Sequence, residues 1–397
     1  MNKKTIDDIA PAGKRVLVRV DFNVPLAGDQ VTDDTRIVAS LPSIRKLADS
    51  GARVILMSHL GRPKGQPKPE FSLRPVAAHL GKLLGKPVPF AEDCIGDKAG
   101  AVVNALRDGE VCLLENLRFH AEEEKNDPEF SRQLAAWGEI YVNDAFGSAH
   151  RAHASTEGVT RFIKIAVAGY LMEKELRYLG KLLQAPKRPF VALLGGAKVS
   201  GKLEVITNLM KTVDGFMIGG GMAFTFLKAQ GKEVGKSLIE PELIETAGRI
   251  LAQASAQKRK FLLPCDFVAA KDLKDTGRPV IVDGDKLGTD LAGYDIGPRT
   301  AKQFSTELKQ AGTIFWNGPM GVFETEPFDS GTVVVSHAVA DATDKGAVSV
   351  VGGGDSVAAV HKTNVASRIS HISTGGGASL EFIEGKTLPG VAALNDR

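Results

Sequence analysis

The feature that most constrains this chain is a rhythm. A short apolar run, a polar turn and a stretch with helical spacing follow one another along nearly the whole length. In the first half Val16–Val20 leads into Asp21-Phe22-Asn23-Val24-Pro25, and Val54–Met57 leads into Ser58-His59-Leu60-Gly61-Arg62-Pro63. Val111–Leu114 leads into Glu115-Asn116-Leu117-Arg118, and Ile140–Val142 into a turn that carries Asn143, Asp144 and, further on, Ala149-His150-Arg151. Stretches such as Ile37–Ser50 and Leu73–Leu84 read as the helices between them. The second half repeats the pattern from Phe190–Leu194, Phe216–Ile218, Phe261–Leu263, Thr313–Trp316 and Ile369–Ile372. Short apolar strands alternating with helices predict parallel sheets. At 397 residues the chain exceeds one ordinary core, so the expected architecture is α/β with two doubly wound parallel-sheet domains.

In such sheets ligands bind just beyond the carboxyl ends of the strands, so the turns matter more than the strands. Those of the first half, with Arg36 from Asp33-Asp34-Thr35-Arg36, collect Asn23, Arg36, His59, Arg62, Arg118 and Arg151. They are donors rather than general acids. Guanidinium forks match carboxylate and phosphate oxygens in pairs, which implies a small, strongly anionic ligand.

The second half changes chemistry. No two glycines adjoin before Gly195-Gly196, yet Gly219–Gly221, Gly352–Gly354 and Gly375–Gly377 follow. The stretch Ala347–Val360 reads as a strand, three glycines, Asp355, Ser356 and the start of a helix. Each glycine costs about 0.5–1 kcal/mol against alanine, a cost tolerated where backbone must approach something closely. At a strand-to-helix turn that partner is an anion on the helix N-terminus. Asp355 would repel a bare phosphate but suits a phosphate-bound magnesium ion. Gly196–Lys202 falls short of a P-loop, because Leu203 stands where that motif needs a hydroxyl. Lys198 and Lys202 near a helix start still imply an anion to offset them. Val357 stands where a dinucleotide fingerprint needs glycine or alanine, which weakens a nicotinamide-dependent dehydrogenase.

Other features read blandly. His150 and His153 lack a third ligand nearby for zinc, and Glu122-Glu123-Glu124-Lys125 reads as a solvated charged face. Leu171–Gln184 reads as a helix ended by Pro186 and Pro189, a natural domain boundary and hinge. Fifty basic against 47 acidic residues leave a net charge of +3, too little to argue for nucleic acid or a membrane surface as partner. Cys94, Cys112 and Cys265 lie far apart and form no CxxC pair, which excludes a disulfide framework and suits a reducing compartment. With no signal-type apolar segment at the N-terminus and no run approaching about 18 apolar residues, a cytoplasmic protein is expected. Arginines for a small anion in one half, and glycine backbone, lysines and an aspartate for a nucleotide–metal complex in the other, point to phosphoryl transfer across a cleft. The alternatives are the dehydrogenase and a non-catalytic two-domain binding protein.

Seven segments in this order closely resemble the phosphoglycerate kinase family, over essentially the whole chain. They are Val18–Pro25, Ser58–Pro63, Glu115–Phe119, Ala149–Ser155, Leu194–Val199, Trp316–Glu324 and Gly352–Ser356. The resemblance implies reversible transfer between 1,3-bisphosphoglycerate and ADP in glycolysis, giving 3-phosphoglycerate and ATP. It implies a domain at 1–170 that binds the phosphoglycerate through Asp21, Asn23, Arg36, His59, Arg62, Arg118 and Arg151. A hinge helix at 171–188 would follow, then a domain at 189–380 that binds Mg2+ with ADP or ATP. The residues implied there are Gly196, Lys198, Lys202, Asn317, Glu324, Gly353, Gly354, Asp355 and Ser356, with Glu324 on the ribose and Asp355 on the metal. Arg36 and Lys202 would stabilise the moving phosphoryl group. A tail at 381–397 would pack back on the first domain, and the protein would be a monomer. Two positions depart from the family: Ser356 where threonine is commoner, and Gly201 where an acidic residue is frequent.

Overall fold

The computed structural model describes residues 2–397 and divides into two compact units, 2–177 with Thr387–Arg397, and Tyr178–Lys386. The first unit is built on six parallel strands: β1 (Arg15–Arg19), β2 (Arg53–Met57), β3 (Phe90–Ala91), β4 (Val111–Leu114), β5 (Ile140–Asn143) and β6 (Ile165–Ala168). Their spatial order is β3-β4-β2-β1-β5-β6. The direction of winding reverses where β1 meets β5, the kind of crevice in which open sheets bind ligands. Val16–Val18 and Val54–Met57 are fully buried, as expected of central strands covered on both faces. The helix Thr35–Asp49 presents Ile37, Leu41, Ile44 and Leu47 to them at helical spacing. It begins two residues earlier than the apolar pattern, so Arg36 lies in its first turn.

The second unit carries β7 (Phe190–Leu194), β8 (Gly215–Ile218), β9 (Lys260–Leu262), β10 (Thr313–Asn317), β11 (Val348–Gly352) and β12 (His371–Ile372), all parallel. The order β9-β8-β7-β10-β11-β12 is the mononucleotide-binding winding of the Rossmann fold, with its switch point between β7 and β10. Every residue of those two central strands is buried, Trp316 among them, with its indole N–H donating to Gly318 O at 2.8 Å. The fold is thus two doubly wound α/β domains.

Two features go beyond the sequence reading. A three-stranded antiparallel sheet, Asp266–Ala270, Val280–Asp283 and Ala292–Ile296, is inserted between β9 and β10. The second unit runs to Lys386 rather than stopping near 380, because the helix Gly377–Ile383 packs against Leu203–Leu209 and Lys386 pairs with both Glu204 and Glu384. The returning tail is therefore shorter, but it is built into the first unit. Asn395 accepts Ala166 N–H on its side chain and donates its own N–H to Ala166 O, both at 2.8 Å. Gly390 N–H donates to Ala149 O at 2.9 Å, and Lys3 pairs with Asp396 at 2.8 Å. The helix Tyr170–Gln184 carries the chain from one unit into the other. Among the described residues no helix is long and apolar enough to cross a membrane.

Candidate active site

In the first unit, register places the turns after β4, β2, β1 and β5 side by side, since Leu113 pairs with Leu56, Met57 with Arg19 and Arg19 with Asn143. Asn23 anchors the edge of this row: its side-chain oxygen accepts Gly61 N–H at 2.9 Å. Arg36 donates to Asp21 Oδ2 at 3.1 Å and to Asn23 O at 3.3 Å. Arg118 reaches Gly61 O at 2.9 Å, with Glu124 3.4 Å from its Nε. Arg62, the next residue along, is exposed and makes no hydrogen bond or ion pair among the described residues. Arg151 is exposed too, and its guanidinium donates to His150 Nε2 at 3.2 Å.

The cationic character is visible in what these groups do to one another. Burial, and then Arg19, Arg118, Arg36 and His153, hold the His59 imidazole well below its usual titration range. His153 falls to about 3 through burial and the guanidiniums of Arg19, Arg118 and Arg151. Burial also lowers Arg118, against the pull of Glu124 and with Arg19 and Arg151 adding to the fall. Cations crowded at the carboxyl edge of a sheet form a site waiting for negative charge.

Beneath this row lies a support that the sequence reading did not find. Arg19 is fully buried and donates to Ser155 Oγ at 2.8 Å, to Ser148 Oγ at 3.4 Å and to Val20 O, and it lies 3.0 Å from His59 Nδ1. An arginine cannot accept, so His59 accepts at Nδ1 and keeps its proton on Nε2. Glu123, expected on a solvated face, is instead completely buried: its carboxylate accepts Ser155 Oγ at 2.6 Å and Ser155 N–H at 3.0 Å. Burial raises its titration above the usual carboxylate range, against the pull of nearby Arg19. A charge run looks solvated when its counter-charge is a hundred positions away. His153 is buried beside Glu123 Oε1, 3.9 Å from its Nδ1.

In the second unit β8, β7, β10 and β11 end in adjacent glycine turns. Gly220, at φ 63°, would place a Cβ 2.6 Å from the backbone of Gly196, and Gly195 would place one 2.1 Å from Pro319 O. No side chain fits there, so the turns close on one another. Gly196 spends its N–H on Pro319 O and its carbonyl on Met222, leaving an open face without a side chain. Asn317 donates from its side chain to Gly352 O at 2.7 Å, and its side-chain oxygen accepts the Lys202 ammonium. Burial lowers the Lys202 titration, while Asp355 and Glu384 pull it back up.

The helix Gly354–Lys362 starts from Gly353 at φ 90°, and its ladder opens with Val357 N–H donating to Gly353 O at 3.0 Å. The N–H groups of Gly354, Asp355 and Ser356 precede that first bond and remain available to an anion. Ser356 is buried and its hydroxyl accepts Gly318 N–H at 2.5 Å, locking the β10 turn to the helix start. Asp355 and Gly354 are exposed at that start. A carboxylate there, with no hydrogen bond or ion pair among the described residues and with an ammonium within electrostatic reach, fits a phosphate-bound divalent cation that keeps most of its waters. Lys198 is exposed on the β7 turn. Glu324 is exposed as well, and Lys362 fastens its turn by donating to Phe323 O at 2.7 Å, at the far end of the Gly354–Lys362 helix. Gly375, the first residue of the Gly375–Gly377 cluster, lies beside the Gly352 turn, a neighbourhood the sequence does not show; its N–H donates to Ser373 Oγ at 3.2 Å.

Two doubly wound units, one edged with guanidiniums and one with glycine turns and a helix start, define an α/β kinase. The comparisons make this particular. A family model described as "Phosphoglycerate kinase" matches residues 6–386. The phosphoglycerate kinases of Chlorobium chlorochromatii and Chlorobium luteolum are 60% and 59% identical, with full coverage of both chains in each case. The solved phosphoglycerate kinase from Coxiella burnetii superposes with a TM-score of 0.91 at 42% identity, and that from Pyrococcus horikoshii with 0.83 at 35%, each over 98% of both chains. The chain belongs to the phosphoglycerate kinase family. It is a transferase of glycolysis that acts on ADP or ATP and phosphoglycerates; the dehydrogenase and the non-catalytic binding protein draw no support.

Proposed function

We propose a division of labour within this reaction. The first unit takes the phosphoglycerate through Asn23, Arg36, His59, Arg62, Arg118 and Arg151, with Asp21 holding Arg36. The second takes the nucleotide through Gly196, Lys198, Lys202, Asn317, Glu324 and the start of the Gly353–Ser356 helix turn. The observation that carries this reading is the separation of two unlike anion sites, one built from side-chain cations and one from backbone N–H groups.

In the reaction so read, a β-phosphate oxygen of ADP attacks the acyl phosphate of 1,3-bisphosphoglycerate in line. The bond from phosphorus to the acyl oxygen breaks, and 3-phosphoglycerate leaves as a carboxylate. The nucleophile is already ionised, so no general base is required, and the protein's contribution is alignment and charge stabilisation. Arg36 and Lys202 supply positive charge to the phosphoryl oxygens. His59, neutral and protonated on Nε2, donates to the acid substrate. Asp355 would hold Mg2+ on the nucleotide phosphates, where the ion neutralises charge. The protein is proposed to work as a cytoplasmic monomer.

Calorimetric titration of each ligand alone tests the division. Arg62→Ala should weaken 3-phosphoglycerate binding by at least about tenfold, the scale of one charge-assisted contact, and leave ADP affinity unchanged. Equal loss for both ligands, or none for the phosphoglycerate, would overturn it.

A further inference from the structure

A second constellation lies at the β3 edge of the first unit. The pairing of Phe90 with Leu113 and of Ala91 with Leu114 brings the segment after β3 beside the segment after β4. This sets Asp93, Cys94 and His120 together: one potential ligand atom from each lies within 4.8 Å of the others. Asp93 Oδ1 is 2.7 Å from His120 Nε2. All three are held from behind. Cys94 N–H donates to Asp93 Oδ1 at 2.7 Å, Trp137 Nε1 donates to Cys94 O at 2.9 Å, and the His120 ring packs on Phe130 with centroids 5.2 Å apart. Asp93 and His120 also line a cavity of about 830 Å³, bounded further by Lys68, Ser72, Phe90 and Glu115. The cluster therefore has a buried sulfur on one side and an open chamber on the other.

We infer that Asp93, Cys94 and His120 form a binding site for a borderline-soft divalent metal ion such as Zn2+ or Co2+, with its fourth position open to this cavity. One sulfur, one imidazole nitrogen and one carboxylate oxygen form a ligand set suited to tetrahedral zinc, and three protein ligands leave a place for water or a small molecule. A thiol among the ligands disfavours magnesium and calcium, which take oxygen, so this site is chemically distinct from the one on Asp355. Binding expels the thiol proton to solvent, and the ion takes over its charge. It also replaces the direct bond between Asp93 and His120. The anchoring by Trp137, Phe130 and the Cys94 N–H gives the ligands the support that metal sites draw from their surroundings.

The test is titration of the full chain with Co2+, followed by absorption, then displacement by Zn2+. The unmodified protein should take one Co2+ with a thiolate-to-cobalt charge-transfer band and the visible bands of tetrahedral coordination, both erased by Zn2+. Cys94→Ala should abolish the charge-transfer band, whereas Cys265→Ser, at the exposed cysteine, should keep it. His120→Asn can still hydrogen-bond Asp93 and so keeps a merely structural brace, but it should lower Co2+ affinity by at least about tenfold. Cobalt bound without a thiolate band, a band that survives Cys94→Ala or vanishes in Cys265→Ser, or unchanged affinity in His120→Asn would each overturn the proposal.

Discussion

At the scale of single residues, the site works by holding charges where water would not. Lys202 is an ammonium whose burial weakens its hold on a proton, steadied by Asn317 and within reach of Asp355. A charge fixed in advance where, in the proposed mechanism, negative charge passes is worth most in the transition state. Lys202→Ala should therefore lower kcat by about 10²–10³ while changing KM for 3-phosphoglycerate little, as read by steady-state kinetics. His153 gives a pH prediction. Folded, it titrates near 3; unfolded, it returns to about 6.5. Between these values the unfolded chain binds the extra proton, so this residue costs stability progressively as pH falls from about 7 towards 5. His153→Gln removes that term. Relative to the unmodified protein, the variant should gain about 1–2 kcal/mol between pH 7.5 and pH 5 in urea denaturation. The arginines, lysines and Asp355 could be picked out of the sequence because their turns follow strands. Glu123 and Arg19 could not: one sat in a run of acids and the other inside a strand, and only packing shows that both are buried around Ser155.

At the scale of elements, the glycine turns shape the proposed nucleotide site. Gly353 at φ 90° would put a Cβ 2.9 Å from the Asn317 side-chain nitrogen, the group that fastens β10 to Gly352 and, through its oxygen, to Lys202. Gly353→Ala should thus both strain the backbone, by about 1–3 kcal/mol, and push Asn317 off Lys202. Its KM for ADP should rise at least about fivefold while affinity for 3-phosphoglycerate stays unchanged, a contrast readable from paired titrations. Strand order was not legible at this scale. The rhythm announced parallel sheets, but the two-residue edge strand β3 is too short for a pattern, and the antiparallel insertion has an exposed strand, Val280–Asp283, that no buried stripe marks.

At the scale of the whole molecule, the last residues belong to the fold of the first unit. Leu388, Val391 and Leu394 are buried there, and Asn395 and Asp396 tie to the β6 edge and the N-terminal segment. Removing residues 387–397 should destabilise that unit by roughly 4.5–9 kcal/mol, the transfer free energy of three such side chains taken as an upper range. Urea unfolding should show an early transition for the first unit, with ADP binding by the second retained. The sequence by itself determined the class: apolar strands followed by polar turns compel parallel sheets, and the residue types in those turns declare phosphate chemistry, because periodicity and turn chemistry are local properties. Tertiary structure alone decided which turns become neighbours, which acids lose their water and which unit owns the tail. Those depend on strand order and on partners far apart in the chain, and no local pattern encodes them.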